Sequence, residues 1–167
     1  MQDLQKFILS MLKDAGALLV DMQKEAVSQS KSEHDLVTSA DLASEKLIIE
    51  RIREKFPSHR IYSEESERKK DDLFSENCWV IDPLDGTNNY AYGFPIWGVS
   101  IAYAKSGEVE CGGVAFPSQG IFLVAQKGKG AFKYELDEEG NFSEPEKLHV
   151  SKRNELKKAM VLICADL

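Results

Sequence analysis

IWGVSIAYAKSGEVECGGVAFPSQGIFLVAQKGKGAFKYE, residues 96–135, decides the fold. Four runs rich in apolar and β-branched residues, 96–104, 108–116, 120–126 and 130–135, are separated by Ser106-Gly107, Pro117-Ser118 and Gly128-Lys129-Gly130. Runs of this length broken by turn residues read as strands, and connections this short join antiparallel neighbours. Glu138-Glu139-Gly140-Asn141 continues the pattern as a hairpin turn or surface loop.

Upstream, the period changes. Leu4, Phe7, Ile8, Met11, Leu12, Ala15, Leu18, Leu19 and Met22 recur at steps of three and four, which predicts an amphipathic helix over about residues 2–28. A polar loop, Ser28 to Asp35, separates it from a second helix marked by Leu42, Ile48, Ile49, Ile52 and Phe56 and stopped before Pro57. Thr38-Ser39-Ala40-Asp41 reads as a capping box at the start of that helix. Arg60-Ile61-Tyr62 is a short strand, Ser66 to Glu76 an exposed loop or short helix, and Cys78-Trp79-Val80-Ile81 a strand ending on Asp82. The sum is an α+β layout, with two long N-terminal helices packed on a largely antiparallel sheet. Ala159 to Cys164 is an apolar run of the kind buried on both faces of a sheet. The expected organisation is therefore one α+β domain over residues 1–150, with 151–167 opening a further α/β layer; the plainer alternative is a last strand that completes the existing sheet.

With 167 residues, 43% of them hydrophobic and 29% charged, the chain can build a packed core. Its net charge of −7 argues against a nucleic-acid surface, which needs clustered Lys and Arg. A phosphorylated substrate remains compatible, because bound cations invert the sign of a local site. No apolar run reaches the length of a membrane span. The N-terminus lacks a signal peptide's basic start and unbroken apolar stretch, so the expectation is a cytoplasmic protein. Cys78, Cys111 and Cys164 are widely spaced, form no metal-binding pair and are expected to be reduced.

The chemistry concentrates in Asp82-Pro83-Leu84-Asp85-Gly86-Thr87-Asn88-Asn89. The strand delivers Asp82 at its carboxyl end, and Pro83 fixes φ there. The chain then turns so that Asp85 faces the same point. Gly86 permits close backbone approach to a ligand. Thr87 starts a helical turn whose free N–H groups suit phosphate oxygens. Two carboxylates for a hard cation and amides for an anion thus share one segment. The bland alternative is an acidic turn with Asp85 as a helix cap. An EF-hand does not fit, since the oxygen ligands do not continue at the required spacing. Taken alone, Glu64-Glu65 reads as a solvated pair, and Asp41 is accounted for by the capping box.

Together these residues carry a resemblance. DLVTSAD at 35–41, YSEES at 62–66 and WVIDPLDGTNNYAYGFP at 79–95 resemble, in order and spacing, three N-terminal signatures of the inositol monophosphatase family, and Gly128 to Phe132 resembles part of its sheet. The resemblance implies the N-terminal half of the family's αβαβα sugar-phosphatase fold. It also implies a magnesium-dependent, lithium-sensitive phosphomonoesterase with two or three Mg2+ ions. By the same resemblance Glu64, Asp82, the Leu84 backbone carbonyl and Asp85 bind metal. Asp85, Gly86 and Thr87 hold the phosphate. Asp41, Glu64 and Thr87 activate the attacking water, while Glu65 supports the ligands from behind. Further implications are a small phosphorylated substrate and a homodimer; the absence of a nucleic-acid or membrane partner is expected from the charge and hydropathy above.

The physical argument agrees with that grouping. Two carboxylates about 4 Å apart repel by about 4 kcal/mol at an effective dielectric near 20, and divalent cations would offset this. Neither His nor Cys lies in these motifs, so attack by water without a phosphoenzyme is expected. The substrate is expected to be inositol monophosphate or a similar small polyol or sugar phosphate. Alternatives are fructose 1,6-bisphosphate, a 3′-phosphorylated adenosine nucleotide, or no substrate at all in a catalytically idle interaction module. The sequence departs from the family at Ser63, where glycine is common, and at Tyr92, where histidine is frequent. The family's later tryptophan–aspartate motif, which completes the second metal site, has no match in these residues. This chain alone is therefore expected to bind metal weakly.

Overall fold

The computed structural model describes residues 3–29, 33–64, 73–137 and 139–160. Two long helices, α1 (Asp3–Gln29) and α2 (Glu33–Lys55), lie on one face of a seven-stranded sheet. The strands are β1 (Arg60–Ser63), β2 (Cys78–Asp85), β3 (Gly98–Lys105), β4 (Glu108–Phe116), β5 (Ile121–Gln126), β6 (Gly130–Glu135) and β7 (Glu146–Leu148), and they neighbour one another in chain order. Every pairing from β2 to β7 is antiparallel, as the short turns predict. The β1–β2 pair is parallel. The segment between them, 64–77, is long enough for the crossover that a parallel pair requires.

The core is the α1 side of the sheet. Ile8, Met11, Leu12, Ala15 and Leu19 form one buried stripe and meet Ile101, Ala115, Phe122 and Val124 from β3, β4 and β5. The helix sits so close that a Cβ on Gly113 would come within 2.8 Å of Leu12 and 2.9 Å of Ile8. Glycine there is a packing requirement.

α2 differs from expectation at its start. The backbone is already helical at Glu33, so Thr38 to Asp41 lie within the helix instead of capping it. The side chain of Thr38 and residues 30–32 of the expected loop lie outside the described residues. The physical reason for the displaced start is the composition of the buried face. Ala40, Asp41, Ser44, Glu45, Ile48 and Ile52 are buried at helical spacing, and the first half of that stripe is polar. A hydrophobic period therefore becomes visible only from Ile48. Leu42, one of the apolar residues that mark this helix in the sequence, is half exposed.

β2 runs through Pro83 to Asp85 instead of ending at Asp82. Its pairing with β3 breaks register between Asp82, opposite Ser100, and Asp85, opposite Gly98, which is a bulge. Residues 66–72 of the charged stretch and 161–164 of the expected last strand lie outside the described residues; Ala159 and Met160 are in neither helix nor strand. Among the described residues no helix is long and apolar enough to cross a membrane. Cys78 and Cys111 are free, buried thiols, as expected.

Candidate active site

The site assembles at the β1–β2 edge, where the parallel register does the positioning. Ser63 pairs with Ile81, and the Glu64 N–H donates to the Ile81 carbonyl at 3.2 Å. That bond sets Glu64 beside Asp82. The two carboxylates, with Tyr62, Val80, Ile81, Ser100 and Ala102, line one cavity of about 240 Å³. Asp85 follows across the bulge and is exposed.

Asp82 carries the clearest electrostatic signature. Its carboxyl is pushed up from 3.8 to about 6, chiefly by burial and then by the negative charges of Glu64 and Asp85. A hydrogen bond from protonated Asp82 to Glu64 adds to the rise, and the Leu84 backbone N–H opposes it. Among the described residues, Asp82 Oδ1 is buried with no hydrogen-bond partner. A buried carboxylate oxygen without a donor, beside two further carboxylates, is an unfavourable arrangement for the protein alone. Hard divalent cations ligate such oxygens, so this donor set fits magnesium. Among the described residues no three His, Cys, Asp or Glu side chains already converge as a finished metal cage.

Gly86 and Thr87 occupy the next turn. Gly86 has φ +82°, and a Cβ there would sit 3.0 Å from the Ile96 carbonyl oxygen and 3.3 Å from Trp97 Cα. Both the backbone conformation and the close approach require glycine. Thr87 opens α3 (Thr87–Ala91), a single helical turn. The turn is anchored from three sides. The Tyr90 hydroxyl donates to the Leu19 carbonyl at 2.8 Å, Gln23 Nε2 donates to the Tyr90 carbonyl at 2.7 Å, and Asn89 Nδ2 donates to the Ile96 carbonyl at 2.6 Å.

α2 packs against both β2 and α3, the elements that carry Asp82, Asp85 and Thr87. Asp41 sits on its inner face, 5% exposed. Leu84 is buried. Glu65 lies outside the described residues. Of the residues expected at the site, Glu64 and Asp82 are thus brought into contact, with Asp85 close enough to act on Asp82, and Gly86 and Thr87 follow directly.

The sequence reading passed over Ser44 and Glu45, which are 0% and 8% exposed beside Asp41. Their signal was available: counting three and four residues on from Asp41 places both on the face of Ile48 and Ile52.

Comparisons with known proteins agree with this architecture. The sequence profile of the inositol monophosphatase family matches residues 1–166. Human inositol monophosphatase 1 is 33% identical over 165 residues, covering 96% of this chain and 56% of that protein. A fructose-1,6-bisphosphatase/inositol-1-monophosphatase of Thermotoga maritima is 35% identical over 128 residues, covering 75% of this chain and 48% of its own length. The structure of Mycobacterium tuberculosis SuhB superposes with a TM-score of 0.73 at 28% identity, over 93% of this chain and 54% of that one. The chain spans about half the length of the relatives it matches.

Proposed function

The chain belongs to the inositol monophosphatase family, and from that premise we propose that it supplies the metal- and phosphate-binding residues of a magnesium-dependent phosphomonoesterase. The observation that carries the reading is Asp82: its buried Oδ1, with no hydrogen-bond partner among the described residues, stands beside Glu64 and Asp85, and burial followed by those two charges raises its affinity for a proton. The negative charge of those neighbours draws a divalent cation as it draws a proton, and the cation displaces that proton on binding.

Glu64, Asp82, the Leu84 carbonyl and Asp85 would hold magnesium. The ion, when bound, supplies positive charge that acidifies the attacking water and stabilises the phosphoryl oxygens and leaving alkoxide. The Gly86 and Thr87 amides, with Asp85, orient the phosphate. The Thr87 hydroxyl, paired with Asp41, would accept the proton of the attacking water as it passes its own to the Asp41 carboxylate, and Glu64 would orient that water. Glu65 is assigned a supporting role to the ligands by the family resemblance alone. Water would displace the alkoxide from phosphorus in one step, the alkoxide taking a proton from solvent as the P–O bond breaks, with the Asp82–Thr87 turn holding the reacting groups in line.

The substrate in this reading is inositol monophosphate or a similar small polyol phosphate. Fructose 1,6-bisphosphate is the second reading, favoured by the Thermotoga maritima relative, whose name carries both activities. We place the protein in the cytoplasm, as a homodimer. The sheet face away from the helices carries an apolar groove of about 610 Å³ that includes Val114, Leu123 and Leu148. We read it as the surface covered by a further α/β layer opening at 151–167.

Phosphate release by the intact protein with magnesium tests the reading, using inositol 1-phosphate, fructose 1,6-bisphosphate and 3′-phosphoadenosine 5′-phosphate. Release from the first, inhibited by lithium, is expected. No release from any ester would leave only the interaction module.

A further inference from the structure

A buried hydrogen bond ties the metal loop to α2. Ser44 Oγ donates to the Pro83 carbonyl at 2.9 Å, and neither residue reaches solvent. Pro83 stands between Asp82 and Leu84, inside the stretch where β2 loses register with β3. A bulge is the least constrained part of a strand, since its residues lack a regular ladder. Pro83 also has no N–H with which to hold itself in place. A bond from a rigid helix to its carbonyl removes the remaining freedom of that peptide. The same helix carries Asp41, three residues earlier.

We propose that Ser44 is a positioning residue for the metal site, fixing the Asp82–Asp85 bulge against α2 so that its carboxylates meet one cation. The inference rests on the metal-binding role given above to Asp82 and Asp85. Without the hydroxyl the Pro83 carbonyl stays buried and loses its donor, so the bulge relaxes toward water or toward β3. Either movement rotates the two flanking aspartates, whose spacing must match the small coordination sphere of magnesium. Side chains that orient ligands without touching the ion typically change metal affinity by about 10- to 100-fold when removed.

Manganese binding, read from the free-ion paramagnetic resonance signal of the intact protein, tests this without reference to activity. Asp82→Asn establishes that the measured site is the one described. Ser44→Ala should weaken manganese binding by about tenfold. Ser44→Cys, of similar size but a weaker donor, should fall between it and the parent, and it carries the test if the alanine variant does not fold. Ile8→Val, on α1 away from the loop, is the control for general loss of packing and should change affinity less than twofold. Ser44→Ala binding within twofold of the parent overturns the proposal, and so does an equal loss in Ile8→Val. Manganese binding that is unmoved by Asp82→Asn overturns the metal-site reading itself, and this inference with it.

Discussion

The two helices bury opposite kinds of surface. α1 presses an unbroken apolar stripe, Ile8, Met11, Leu12, Ala15 and Leu19, onto β3, β4 and β5. α2 covers the β2 edge with a stripe whose first half is Asp41, Ser44 and Glu45, facing a strand that ends in Asp82, Pro83, Leu84 and Asp85. One interface is built to hold the fold, and the other accepts buried polar groups that a core would exclude. The two should therefore separate cleanly under mutation: damage on the α1 side appears as lost stability, damage on the α2 side as lost function.

The sharpest break in that comparison is Asp82→Asn. Loss of the carboxylate should raise the barrier by about 4 kcal/mol, about a thousandfold in turnover. The melting temperature should hold or rise, since a buried charge with a partnerless oxygen disappears. Parallel assays of phosphate release and thermal unfolding on the intact protein check both halves, and near-normal turnover would remove Asp82 from the site. Leu12→Ala is the mirror image. It opens a cavity against Gly113 and should cost about 3 kcal/mol in urea unfolding, with metal affinity unchanged.

These two contrasts also show what the sequence could reveal. α1 was legible because nine apolar side chains recur at steps of three and four with little interruption. The β3–β6 meander was legible because each strand ends at turn residues with one structural meaning. The start of α2 was not, because polar residues that face inward read as a surface or as a cap. The parallel β1–β2 pair was hidden too, since two strand-like runs do not record which way a long connection returns. β7 is three residues with only a half-buried Leu148 to mark it. At the site, the paired aspartates and the glycine turn could be argued from local chemistry. The grouping of Glu64, Asp41 and Thr87 came only through family resemblance, because no spacing rule joins residues from separate strands and helices. The placement of Glu64 against Asp82 is the part the fold itself supplies.

Titration extends the comparison to the metal-free protein. Folding raises the proton affinity of Asp82, so the unfolded chain releases that proton near pH 4 and the folded chain near pH 6. Between those values the folded state binds more protons, and stability falls as pH rises. Partial exposure limits the loss to about 1–2 kcal/mol. Urea midpoints from pH 4 to 7 should show the decline, and Asp82→Asn should flatten it. His59 works in the opposite sense. Its ring stacks on Phe56 and accepts the Trp79 indole N–H at Nδ1, 3.1 Å away, and burial lowers its affinity for a proton while Glu76 partly restores it. Below about pH 6.5 the unfolded chain gains a proton that the folded state resists, so stability falls as pH falls. His59→Gln should remove that acid-side loss and leave the Asp82 trend exposed.

The smallest effect lies at Ser63, where the sequence departs from the glycine common in the family. The side chain is 1% exposed, and its Oγ has no hydrogen-bond partner among the described residues. In the apolar layer under α1 such a hydroxyl would be a plain defect. At the end of β1 it precedes Glu64 and adds to the inward polar surface shared with Asp41, Ser44 and Glu45. Ser63→Ala deletes the hydroxyl without altering backbone freedom and should stabilise the fold by about 0.5–1 kcal/mol, the desolvation cost recovered. Ser63→Gly deletes the same group but frees the backbone, a cost of about 0.5–1 kcal/mol in strand interiors, so it should be close to neutral. Thermal unfolding of the two variants side by side separates the terms. If alanine destabilises instead, the hydroxyl is held by a buried water, and the polar layer beneath the site is hydrated where the α1 interface is dry.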